Sequence, residues 1–213
     1  MGEDVKTKIM KHAYKLFLEE GYRAATIRKI AAMSGVSHTL VMYNFNNKAN
    51  IAGNVGKLYL DRLLKTVEAI DIREEEKSFF YKFAWFTLHY LIITTKRDFG
   101  HFYIEFTTDE PDVFNENVAS LMPLILGEMF GLRESLKSTD FEADTLLLTG
   151  VDSTLSRLCY EKKLKVNKAV TKLFSMSITE GFRLELDEKD VEDFIEKYSL
   201  LNIAQEIDVK ALV

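Results

Sequence analysis

Apolar residues recur at spacings of three and four along almost the whole chain, a period that predicts helices. Ile9, Ala13, Leu16 and Phe17 form one stripe behind Asp4, a suitable N-cap, and the stripe ends before Gly21. Thr26 can cap a short second helix in which Ile27, Ile30 and Ala31 face inward while Arg28 and Lys29 face out. Ser34-Gly35-Val36 supplies a glycine-centred turn. Ser37 then caps a third helix running roughly through Asn44, with Val36, Val41 and Phe45 placed to pack back on the first two. Two short helices joined by a tight glycine turn make a helix-turn-helix, with His38, Thr39, Met42 and Tyr43 on the outer side and Leu40 at the margin. A reader of the DNA major groove and a plain three-helix bundle both fit this pattern.

Asn47 begins a fourth helix with Ile51, Val55 and Leu58 on one face, continuing to about Ile70 before the acidic run Glu74-Glu75-Glu76. Residues 79 to 106 then hold 11 of the 25 aromatic residues, so this segment is expected at the centre of the molecule. Phe79, Phe83, Phe86 and Tyr90 form one stripe and Trp85, His89 and Ile92 another, making the helix apolar nearly all round. Such a cluster either lines a cavity for an apolar ligand, with His89, Tyr90, His101 or Tyr103 as polar contacts, or fills an ordinary core. Asp109-Glu110-Pro111 signals a helix start. Pro123 should kink that helix and Gly127 and Gly131 loosen its end. From Asp140 a long helix sets Leu148, Val151, Leu155 and Leu158 on one stripe, and from about Val166 another carries Val170, Leu173, Ser177 and Gly181. These two helices, joined by the charged turn Glu161 to Lys165, form either a four-helix interface with a second subunit or a bundle within one chain. Asp187 to Asp190 starts a further helix with Val191, Phe194, Ile195 and Tyr198 on one side, and residues after Asn202 read as a peripheral tail.

Composition narrows the class. With 213 residues, 47% of them hydrophobic, two prolines and ten glycines, the chain is expected to be an all-α protein with a real core. Its net charge of −5 conceals an asymmetry: residues 1–62 hold ten Lys and Arg against five Asp and Glu, or +5, leaving −10 for residues 63–213. Only the N-terminal part therefore suits a polyanion. The single cysteine, Cys159, excludes an intramolecular disulfide framework, and no signal-like segment precedes the first helix, so a cytoplasmic location is expected. The apolar run Phe83 to Thr95 is shorter than the roughly 20 residues a bilayer needs and carries His89, which makes it a buried helix and not a membrane span. His101 and Glu105 lie one turn apart without a third ligand, and no nucleophile elbow, P-loop, dinucleotide fingerprint or HExxH motif occurs. No enzyme activity, metal or cofactor is expected.

The run Ala13, Leu16-Phe17, Glu20-Gly21-Tyr22, Ala25-Thr26, Ile30-Ala31, Ser34-Gly35-Val36-Ser37, Tyr43, Phe45 and Lys48 resembles the N-terminal signature of the TetR family of transcriptional regulators. So many matches at fixed spacing are specific, although they cover only this quarter of the chain. The resemblance implies a helix-turn-helix DNA-binding domain at residues 3–50 and a helical ligand-binding and dimerisation domain at 51–213. It further implies a homodimer on a palindromic double-stranded operator, released by a small, largely apolar inducer and acting more often as a repressor. Carried over by position, Thr26 caps and reaches a phosphate, and Lys48 contacts phosphate from the fourth helix. The residues expected at DNA are Thr26, Arg28, Lys29, Ser37, His38, Thr39, Leu40, Met42, Tyr43, Asn44 and Lys48. Those expected at the ligand are Phe83, Trp85, Phe86, His89, Tyr90, Phe102, Tyr103 and Phe106. Leu148, Val151, Leu155, Leu158, Leu173, Ser177 and Gly181 are expected between subunits. Two departures stand out: Met42 replaces the family's phosphate-contacting tyrosine, and Ala49 with Asn50 replaces its acidic residue after the lysine. Asn44 either donates to phosphate or stops its helix. The alternative to a regulator is a helical protein-interaction module that has lost DNA binding.

Overall fold

The computed structural model describes residues 4–71, 77–119, 141–175 and 187–211. Regular structure among these residues is helical throughout: α1 (Val5–Ala24), α2 (Ile27–Ser34), α3 (His38–Phe45), α4 (Lys48–Glu68), α5 (Lys77–Thr95), α6 (Arg97–Asp109), α7 (Pro111–Ala119), α8 (Phe141–Tyr160), α9 (Val166–Ser175), α10 (Glu188–Lys197) and α11 (Leu200–Glu206), closed by a 3-10 turn at Val209–Ala211. Pro123, Gly127, Gly131, Asp140, Ser177, Gly181 and the run Glu74 to Glu76 lie outside the described residues, as do the side chains of Phe79, Phe80 and Tyr81.

Local chemistry sets the boundaries of the first four helices. Asp4, Thr26, Ser37 and Asn47 each accept a hydrogen bond from the backbone amide three residues on, satisfying a donor that the first turn leaves free. Gly35, at φ +62°, ends α2 in the left-handed region. Within α1 the helical path breaks at Gly21, whose φ is +82°. A side chain there would also collide, since a Cβ would sit 2.6 Å from Glu105 Oε2 on α6. Gly21 thus serves a turn and a close approach at once.

α5 is the axis of the molecule. Every residue from Phe83 to Ile93 is buried, because α4, α6, α8, α9 and α11 all pack around it. α1 lies along α6, where Phe102 stacks on Phe17 at 5.0 Å and is flanked by Tyr14 and Phe106. This aromatic seam joins the N-terminal helices to the body. α4 is one uninterrupted helix, so the domain boundary expected after residue 50 falls inside its first turn. α7 rides on α4 at Gly53, where a Cβ would lie 2.4 Å from the Asn117 amide.

The C-terminal segment differs from expectation. Read as a peripheral tail, it instead buries Ala204 and Val209, receives a hydrogen bond from the Tyr14 hydroxyl at the Val209 carbonyl, and accepts one from Lys96 at Gln205 O. Its short stripe was masked by charge at Glu206, Asp208 and Lys210. Among the described residues no helix is long and apolar enough to cross a membrane.

Candidate DNA-binding surface and ligand site

α3 buries Val41 and Phe45 and turns the opposite side outward. His38 and Thr39 are exposed, Met42 is 37% exposed and Tyr43 86%, while Leu40 is half-buried at the margin. A large aromatic so open to water has no packing role in the isolated chain. Ser37 and Thr26 use their hydroxyl oxygens as cap acceptors, which leaves each hydroxyl hydrogen free to donate outward. Arg28 is exposed and, among the described residues, shows no ion pair. Lys29 is exposed but already bound, 2.5 Å from Glu20.

Lys48 is half-buried. Its ammonium donates to the carbonyls of Tyr22 (2.7 Å) and Ala25 (3.0 Å) and lies 3.9 Å over the Tyr22 ring, so it closes the carbonyl end of α1. Burial pulls its pKa below the usual lysine value against the opposing charges of Glu110, Asp109 and Glu105. Two of its three N–H groups are committed inside the protein, and one remains for a phosphate. Asn44 is half-buried and donates to Leu40 O within its own helix at 2.8 Å, and the helix runs on past it to Phe45 and ends at Asn46.

The same end of α1 is clasped by the C-terminal end of α6. Arg23 binds Asp109 through two hydrogen bonds of 2.8 and 2.7 Å, its amide donates to Glu105 Oε2 at 3.0 Å, and Tyr22 donates to Glu110 at 2.8 Å. The guanidinium holds the Asp109 carboxyl below its ordinary value. His101 and Glu105 pair here at 3.2 Å, and among the described residues no three His, Cys, Asp or Glu side chains converge to hold a metal ion.

The aromatic cluster divides into three regions. Phe102 and Phe106 belong to the α1–α6 seam, and Phe83 packs on Phe174 and Phe194 of α9 and α10. The third region borders a cavity of about 20 Å³ lined by Leu60, Trp85, Phe86, Tyr103, Phe114 and Asp152, together with Leu148 and Thr149. That volume holds about one water.

Beside this cavity runs a buried polar chain. His89 is wholly buried, with Nδ1 2.8 Å from the Tyr59 hydroxyl, and Nε2 3.0 Å from Ser156 Oγ and 3.5 Å from Asp152 Oδ2. A carboxylate beside Nε2 favours the ring proton there, so Tyr59 O–H donates to Nδ1 and Nε2–H donates to Ser156. Burial pushes the imidazole down to about 3 and the Asp152 carboxyl up to about 7, the latter opposed in part by the nearby Tyr90 hydroxyl. Trp85 stacks on the His89 ring at 5.9 Å. The indole N–H of Trp85, the hydroxyl of Tyr90 and Oδ1 of Asp152 have no hydrogen-bond partner.

Tyr59, Leu60, Phe114, Asp152 and Ser156 were missed by the sequence reading. One signal for Asp152 was available, as it is the single charged residue within the otherwise uncharged stretch Leu146 to Leu155 of α8. Of the residues expected between subunits, Leu155 and Leu173 are buried inside the chain, and Leu148, Val151 and Leu158 are half-buried. The outer face of α8 carries instead Leu146 and Leu147, about half exposed, and Gly150, which has open space beside it.

A family model, described as bacterial regulatory proteins, tetR family, matches residues 9–55, spanning α1 to the first two turns of α4. No curated protein matches the chain. Among solved structures, SmeT in complex with triclosan is 13% identical, with 85% of this chain and 95% of that one covered at a TM-score of 0.51. A TetR-like transcriptional regulator from Rhodococcus sp. RHA1 is 16% identical over 81% of this chain and 93% of that one, at a TM-score of 0.46. The helix-turn-helix is thus similar to that of bacterial regulatory proteins of the tetR family, and the helical body shares the fold of SmeT.

Proposed function

We propose that the protein is a cytoplasmic, ligand-responsive transcriptional repressor that binds a palindromic DNA operator as a homodimer and is released by a small, largely apolar inducer. The observation that carries this reading is one continuous helix, α4, which begins beside the groove-reading face of α3 and carries Tyr59 into a hydrogen bond with His89 at the cavity wall. Residues 3–50 serve DNA and residues 51–213 serve ligand and partner. His38, Thr39, Met42 and Tyr43 meet the major groove, and Thr26, Arg28, Ser37 and Lys48 meet phosphates. The protein acts by binding and not by catalysis.

A cavity of one water cannot take an inducer, for ligand sites measure about 300–1,000 Å³. Admission therefore displaces walls contributed by α4 to α8, and a displaced α4 pulls on the end of α1 through Lys48, while Arg23 and Tyr22 tie that same end to Asp109 and Glu110 at the end of α6. A coupling of about 1–3 kcal/mol, or roughly 5- to 150-fold in operator affinity, is sufficient to switch a gene. That SmeT was solved with triclosan supports a small molecule as effector. The partner copy docks on the outer face of α8 around Leu146, Leu147 and Gly150, a placement that leaves Leu155 and Leu173 in the core.

The test is selection of bound sequences from a random DNA pool, followed by affinity measurement across a salt series. The reading expects palindromic selected sites, a steep loss of affinity with salt and two protomers per site by sedimentation. Salt-insensitive binding without an enriched sequence would instead indicate a protein-interaction module.

A further inference from the structure

The cavity already assigned to the inducer contains one feature that an apolar ligand leaves unanswered. Asp152 is buried, lines the cavity, and presents an Oδ1 with no well-formed hydrogen bond, the Tyr90 hydroxyl being near enough to lower its pKa yet itself without a properly aligned partner. The groups facing it are Tyr59 from α4, His89 and Tyr90 from α5, Tyr103 from α6, and Cys159 and Ser156 from its own helix. None is a cation at neutral pH, because burial keeps His89 uncharged. Among the described residues, therefore, no side chain neutralises this carboxylate. Burial keeps this carboxyl protonated up to about pH 7, and its ionised form, which has no counter-charge among the described residues, is costly to hold dry until a bound cation supplies one.

The remaining walls suit the same guest. Trp85, Phe86, Tyr103 and Phe114 offer aromatic faces, whose negative quadrupoles attract cations, and Leu60 completes an apolar surface. We propose that the inducer is an amphipathic organic cation, a protonated amine on an apolar or aromatic body, with Asp152 as its counter-ion. Pairing at Oδ1 draws the carboxylate away from His89, loosening the Tyr59–His89 link to α4. The inference rests on reading this cavity as the inducer site.

Trp85 is the sole tryptophan and lines the cavity, so its fluorescence reports occupancy without DNA. The probes are 4-phenylbutylamine, 4-phenylbutan-1-ol and 4-phenylbutanoate, which share one body and differ in head group, titrated at pH 8 with excitation at 295 nm. The expected result is an amine at least about tenfold tighter than the alcohol, with the acid weakest. Asp152→Asn should abolish that preference while leaving the alcohol's affinity within about threefold, and Asp152→Glu should restore part of it. The alcohol in Asp152→Asn controls for folding, since a merely structural loss weakens both probes together. Equal affinity for amine and alcohol in the wild type, no binding of any probe at millimolar concentration, or a preference that survives Asp152→Asn overturns the proposal and leaves the unmet polar atoms to a trapped water only. Operator binding by the unliganded protein is measured in parallel. An amine preference without operator binding defeats the regulator reading alone, whereas operator binding without an amine preference defeats this one.

Discussion

Phe102→Ala should separate the two halves of the molecule's stability. Phe102 is fully buried between α1 and α6, stacked on Phe17 at 5.0 Å with planes 10° apart and on Phe106 at 6.1 Å and 2°, with Tyr14 at its edge. Truncating a buried phenylalanine typically costs about 3–5 kcal/mol, and aromatic pairs add about 0.5–1.5 kcal/mol each beyond their area. With four neighbouring rings, Tyr14, Phe17, Phe99 and Phe106, losing their partner, the upper part of that range is expected. Domain stabilities run to about 5–15 kcal/mol, so the loss is a large fraction of the whole. Urea melts at fixed protein concentration provide the assay, because dimerisation makes midpoints concentration-dependent. At a slope near 3 kcal/mol/M, a loss of about 4 kcal/mol lowers the midpoint by roughly 1.3 M. Helical content by far-UV circular dichroism should also begin to fall before Trp85 fluorescence changes, since Phe102 holds the N-terminal helices while Trp85 lies in the body. A midpoint shift below about 0.3 M, or about 1 kcal/mol at that slope, with both signals still coincident, would refute the claim that this seam joins the halves.

Tyr59→Phe leaves Nδ1 of His89 buried without a partner and should cost about 1–3 kcal/mol in urea melts, together with a weakened response of operator affinity to inducer. The pH dependence of stability has a definite sign. Asp152, raised to about 7 from 3.8, keeps its proton in the folded chain after the unfolded chain has released it, so its contribution is full below about pH 4 and is lost as pH rises through 7. His89, lowered to about 3, contributes in the opposite sense, lost as pH falls from 6.5 towards 3. Asp152→Asn leaves only the histidine contribution, and its stability should climb more steeply than wild type between pH 4 and 7; parallel profiles would contradict both assignments. Arg28→Ala should weaken DNA binding and reduce the salt slope by about one without moving the melting midpoint, whereas Lys48→Ala should lower both affinity and midpoint, because its ammonium also closes the end of α1.

How much was legible depends on the range of the forces involved. The caps at Thr26, Ser37 and Asn47, the turn at Gly35 and the outward face of α3 could be read from the chain because each depends on groups within four residues of one another. The central place of α5 was equally plain, as a helix apolar on all sides has nowhere else to go. The aromatic segment was different. Periodicity could not sort Phe102 and Phe106, which seal α1 to α6, from Trp85 and Tyr103, which border the cavity, since that depends on which helix lies across each face. Nor could it decide whether the stripe containing Leu155 and Leu173 meets a second copy or the chain's own core, because burial looks the same from either side. Lys48 shows both levels in one residue. Its place at the head of α4 was written in the local sequence, but its hold on the Tyr22 and Ala25 carbonyls exists only once α1 and α4 are packed together, when two distant segments bring a charge and its acceptors within 3 Å. The sequence by itself determined the helices and the outward face of α3. Tertiary packing alone decided which buried polar groups meet, and set Asp152 beside His89 at the wall of a small cavity.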